Sequence, residues 1–149
     1  MSNAAVATTP RPLSARGALT VLAAIHLSVV IWHGGAHSAL AVGLSPFQTV
    51  FVFGVILCAP LLATLLLWTR LEEFALWLYV IAMSAALLFG VYYHYIAVTT
   101  DNIHFLPPTA GDSARHRFTY SAAAVAVTEA VAAVRSVIAL LTRRSAIQT

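Results

Sequence analysis

Three histidines, His26, His33 and His37, sit inside one largely apolar stretch, Ile25 to Leu40. On a helix turning about 100° per residue, spacings of seven and four place these imidazoles within roughly 40° of one another, on one face. Hydrocarbon offers an imidazole no hydrogen bonds, so that face is expected to look into a protein interior or a wet cavity. His94 falls near the end of a later apolar run, and His104 and His116 lie in the polar segment after it. Threading the runs through a bilayer brings His33, His37 and His94 to one depth, near the outer surface. Imidazole is a common ligand of zinc, copper, iron and haem iron. His33, His37 and His94 are therefore the candidate ligands for haem b or for a transition metal (copper, iron or zinc), with His104 a further metal candidate. Gly34, Gly35 and Gly90 would let a backbone or a flat cofactor approach closely.

A second polar group lies deeper. His26 and Glu129 each fall near the middle of an apolar run, at similar depth, and an isolated carboxylate there is costly. The two are expected to pair, with Thr128 able to add a hydroxyl. No nucleophilic triad, phosphate-binding loop or nucleotide motif is present, so no residue is assigned a catalytic role. If chemistry is done here, a bound cofactor carries it.

Composition defines the medium that must position these residues. Of 149 residues, 60% are hydrophobic and 9% charged, and the mean hydropathy is +0.87. That is too apolar for a soluble domain of this length, and points to an integral membrane protein partnered by the lipid bilayer. The net charge of +3 comes from eight arginines, with no lysine, placed mainly near the ends of the apolar runs. No cluster exceeds Arg143-Arg144, which argues against nucleic acid as a partner. The single cysteine, Cys58, excludes an internal disulfide and is expected to be a small buried hydrophobe.

Four apolar runs predict an all-α, four-helix membrane bundle over residues 17–142, with helices at about 17–42, 46–68, 74–98 and 118–141. Residues 1–16 read as a disordered cytoplasmic tail and 143–149 as a second one. Ala39-Leu40-Ala41 has the small-x-small form of a leader cleavage site, but the run before it is longer than a leader requires. Gly43 is expected to close the first helix in a left-handed conformation. Ser45-Pro46-Phe47-Gln48 then carries a capping serine, a first-turn proline and a capping-box glutamine. Pro60 should kink the second helix or free a carbonyl. The segment 101–117 is a polar external loop, and Ala122, Ala126 and Ala130 in the last helix form a small-xxx-small stripe for close packing.

Arg11, Arg16, Arg70, Arg143 and Arg144 against Arg115 and Arg117 favour an N-in, C-in topology, in a bacterial or archaeal cytoplasmic membrane. In architecture alone the chain resembles membrane b-type cytochromes, with no motif from which residues could be carried over. The leading functional expectation is an outward-side histidine cluster used for electron transfer or metal handling. The alternatives are a non-enzymatic accessory or scaffold subunit, and a proton or ion pathway through Glu129 and His26. A chain this small is expected to form homo-oligomers or to join other membrane subunits.

Overall fold

A computed structural model describes residues 14–108 and 111–147, all helix and loop, with no strand among the described residues. Four helices are each long and apolar enough to cross a membrane: α1 (Ala15–Ala39), α2 (Pro46–Leu66), α3 (Glu72–Ile96) and α4 (Asp112–Ile147). The tail expected over residues 1–16 lies outside the described residues as far as residue 13. Arg16 already belongs to α1, whose N-cap serine, Ser14, accepts the Gly17 N–H at 3.2 Å. At the other end α4 runs on through Arg143 and Arg144, so the first part of the expected second tail continues the helix.

The connection between α1 and α2 departs from expectation in an instructive way. Helix α1 ends at Ala39, and the left-handed residue is Ala41, at φ 53°, not Gly43. Val42 N–H bonds the His37 carbonyl at 3.1 Å and Ala41 N–H bonds that of Ser38 at 3.2 Å, the paired closure of a Schellman turn. An alanine in this conformation costs roughly 1–2 kcal/mol that glycine would not. The capping box forms as its residues suggest: Gln48 N–H donates to Ser45 Oγ at 3.2 Å, and Ser45 N–H to Gln48 Oε1 at 2.8 Å.

Pro60 interrupts α2 as proline must. The turns before it, Val52–Cys58, are π-helical, and the Ile56 carbonyl, which an amide at position 60 would have bonded, is left available. Cys58 faces outward here rather than into the core. A helix that is apolar on nearly every face, as this one is, turns a small apolar residue outward as readily as inward. The last turn of α3, Tyr92–Ile96, is also π-helical and carries His94.

In α4 the buried face is Phe118, Ser121, Ala122, Val125, Glu129, Ala132, Ser136 and Leu140. This corrects the alanine stripe, because Ala126 and Ala130 are only half-buried. The small residues that admit close packing are Ser121, Ala122, Ala132 and Ser136. Helix α4 begins at Asp112 and so absorbs Arg115, His116 and Arg117, which the sequence placed in a loop.

Two apolar clusters hold the bundle. The larger, around Leu19, Leu67, Leu76, Tyr79, Met83 and Leu140, joins all four helices toward the chain-terminal end. The smaller, Ala36, Leu40, Val42, Leu106 and Phe118, lies beside the histidines. Beyond the larger cluster, Glu72 in the first turn of α3 accepts two bonds from Arg16, at 2.6 and 2.8 Å, and one from Arg143. One carboxylate thus ties the ends of α1, α3 and α4, at a helix N-terminus that favours negative charge.

Candidate metal centre

His33 lies at the middle of the site. Its Nε2 is 3.1 Å from His94 Nε2 and 3.1 Å from His37 Nε2. One turn of α1 separates His33 from His37, so both project from a single face, while the π-helical end of α3 brings His94 to them from across the bundle. The three rings offer one nitrogen each within 4.8 Å of one another, a grouping able to hold a metal ion.

The nitrogens on the far side of each ring decide the tautomers. His94 Nδ1 meets the Asp101 carbonyl at 2.9 Å, and His37 Nδ1 meets the Val42 carbonyl at 3.3 Å. A carbonyl only accepts, so in both rings the proton sits on Nδ1. His33 Nδ1 is 2.9 Å from Ser121 Oγ, whose own hydrogen goes to the Phe118 carbonyl at 3.0 Å. The serine oxygen is then the acceptor, and His33 also carries its proton on Nδ1. On this assignment each Nε2 carries its lone pair on the side where the three rings meet, with His33 Nε2 3.1 Å from the other two. Backbone or hydroxyl bonds to the outer nitrogen are how proteins orient metal-binding histidines.

Each of these outer bonds has a structural origin. The Val42 carbonyl reaches His37 because the Schellman turn folds the chain back over the end of α1. The Asp101 carbonyl reaches His94 because the 97–108 segment curls over the end of α3. Asn102 holds that curl by donating to the Ala97 carbonyl at 2.8 Å, and Ile103 N–H bonds the His94 carbonyl at 3.0 Å.

Asp101 is a participant that sequence reasoning missed. It is buried, its Oδ1 lies 3.3 Å from His37 Nε2, and its Oδ2 accepts from Gln48 Nε2 at 3.2 Å. Oδ1 has no hydrogen-bond partner among the described residues. Gln48 therefore caps α2 with one end of its amide and holds the carboxylate with the other. The available signal was a carboxylate seven residues beyond His94, just past the helix end, but on sequence it looked like an ordinary solvated loop residue.

The other candidates separate. His104 is exposed, its backbone N–H bonded to Asn102 Oδ1, and it lies outside the three-histidine group. His116 is exposed on α4 and stacks on Tyr120. The expected His26–Glu129 bond does not form. His26 Nε2 donates instead to the Ile56 carbonyl freed by Pro60, at 3.2 Å, and Nδ1 lies 3.3 Å from Thr128 Oγ1. A mid-helix backbone acceptor is invisible to pairing by depth, since it exists only because a proline stands four residues on. Glu129 is fully buried, and neither of its oxygens has a hydrogen-bond partner among the described residues. It lines a cavity of about 590 Å³ that His33, His37, His94 and Asp101 also line.

No family model, curated protein or solved structure matches the chain.

Proposed function

We propose that this chain is a membrane metalloprotein that holds one transition-metal ion through Nε2 of His33, His37 and His94. The observation that carries the reading is geometric: His33 Nε2 lies 3.1 Å from Nε2 of both His37 and His94, while the opposite nitrogen of each ring has its own hydrogen-bond partner. Neutral imidazoles so arranged repel one another unless a cation lies among them. An ion with metal–nitrogen bonds of about 2.0–2.1 Å sets neighbouring ligands about 3.4 Å apart in a tetrahedron, close to the 3.1 Å between His33 and each of its two neighbours, and all three nitrogens lie within 4.8 Å of one another. Imidazole donors without a thiolate suit zinc, iron or copper(II). Asp101 adds a negative charge beside the cation in a medium of low dielectric.

An ion fits better than haem b. Axial imidazoles stand on opposite sides of the iron, about 4 Å apart with the macrocycle between them. Here three nitrogens crowd one point, and the rings of His33 and His94 meet edge to face with centroids 4.8 Å apart. Three protein ligands facing a cavity match the pattern of working metal sites, which keep a position open, rather than closed structural ones. Metal handling or metal-centred chemistry on a small ligand is thus favoured over a scaffold role.

Protein purified without chelators, from cells supplied with zinc, copper and iron, is expected to carry one metal ion per chain by mass spectrometry. His94→Ala and His33→Ala should each remove it, while His104→Ala keeps it. Loading should weaken on acidification, as protons compete with the metal for the imidazole nitrogens. A wild-type protein with no more metal than His94→Ala would overturn the reading. The arginine asymmetry also predicts that the centre lies on the outer side. A reporter fused at Gly111 should be active as an external fusion and silent as a cytoplasmic one.

A further inference from the structure

The cavity beside the histidines opens sideways. Helix α1 packs on α4 and, against α2, along Ala59–Leu66, while the Pro46–Cys58 half of α2 makes little contact with it. The walls of the gap are apolar: Ile31 on one side and Phe53 on the other are 66% and 59% exposed on the outer surface of the bundle. In a bilayer that surface faces lipid. The polar groups lie at the floor, where Glu129 Oε2 and His94 Cδ2 flank Gly90, at 3.8 and 4.0 Å from where a Cβ on that residue would stand.

We propose that this cavity binds a membrane-dissolved hydroxylated aromatic compound of the quinol class, entering between α1 and α2 and directing its head at Glu129 and the metal centre. Three features select the ligand. An entrance walled by hydrocarbon side chains excludes charged solutes and admits what partitions into the bilayer. The volume, about 590 Å³, lies in the range of small-molecule sites, and Phe53 and Phe89 offer aromatic surface to a flat ring. At the floor, a fully buried carboxyl without a partner among the described residues needs a hydrogen-bonding group, and the ligand head supplies it. A hydroxyl donates to the carboxylate, and the carbonyl of the oxidised form accepts from the carboxylic acid. A quinol and its quinone together match both protonation states of Glu129. The inference deepens the metal reading by naming the ligand that reaches the open side of the ion, but the Glu129 contact does not depend on metal.

The test uses the full chain in lipid nanodiscs, with a photoreactive decyl-benzoquinol as probe and its dimethyl ether, which lacks the hydroxyl hydrogens, as control. Saturable labelling should map to residues 30–34 and 52–57. Unlabelled decylquinol should compete at least about tenfold better than the ether, and Glu129→Leu should weaken binding by a similar factor. A Cβ at Gly34 meets nothing within 4 Å, so Gly34→Phe should fill the gap and abolish labelling with metal content unchanged. Val52→Trp narrows it from the opposite wall and serves if Gly34→Phe does not fold. Labelling spread over the lipid-facing surface, equal competition by the ether (as for any acyl lipid), or indifference to Glu129→Leu would each overturn the proposal. Metal content is measured on the same preparations, so a metal-free protein that still binds the quinol through Glu129 refutes the metal reading alone.

Discussion

At the scale of single residues, the site depends on atoms that never face its centre. Asp101 acts twice, through a backbone carbonyl that fixes the tautomer of His94 and through a carboxylate 3.3 Å from His37 Nε2. Asp101→Asn keeps the first role and removes the charge of the second. Loss of such an outer group commonly weakens metal binding by 10–100-fold. We expect a metal affinity lower by about that range, read by competition with a chelator of known affinity, while His104→Ala leaves it unchanged. Affinity unchanged in Asp101→Asn would mean that the carboxylate takes no part. His26 belongs at this scale too: its partner is a carbonyl of α2 that an amide at position 60 would have bonded, so a proline and a histidine 34 positions apart satisfy one another's defect.

Among the elements, those that irregular geometry interrupts do the positioning. Two π-helical stretches, Val52–Cys58 and Tyr92–Ile96, border the cavity and carry His94, in keeping with the frequent use of π turns at functional sites. The Schellman turn at Ala41 supplies the carbonyl that orients His37. Glycine suits its left-handed position better than alanine does. Ala41→Gly should therefore stabilise the protein by on the order of 1 kcal/mol, less the extra entropy that glycine gives the unfolded chain. Thermal unfolding in mild detergent would show this as a raised midpoint with metal content retained. A lowered midpoint would mean that the turn is not formed as described.

Across the whole molecule, two polar clusters lie at opposite ends, with His26 and Glu129 between them. The histidine centre occupies one end, and at the other Glu72 gathers Arg16 and Arg143 from the chain's two extremities. Both arginines are more than a third exposed, so solvent screening reduces what the clamp contributes. Glu72→Gln should lower the unfolding midpoint at low salt, with the difference from wild type shrinking at 1 M salt, where the Debye length is about 3 Å. A salt-independent difference would point to lost packing instead. Metal content should not change, because the clamp lies at the opposite end of the bundle.

The four helices were legible in the chain because crossing hydrocarbon demands about twenty apolar residues in a row, a requirement that any correct threading must meet. The helical period likewise put His33 and His37 on one face before any partner was known, and Ser45 with Gln48 announced a cap that forms within four residues. What the sequence could not disclose were contacts between distant segments whose reason is not periodic. Asp101 reaches the centre because a loop curls back over α3. Ser121 reaches His33 because α4 packs its serine face inward rather than its Ala126 and Ala130 side. His26 turns from Glu129 to a backbone carbonyl because a specific local bond outcompetes a pairing inferred from depth. Depth in a membrane is a single coordinate, and it cannot say which side chains share a neighbourhood. Rotation of each helix about its axis settles that, and the rotation is set by packing of the whole bundle.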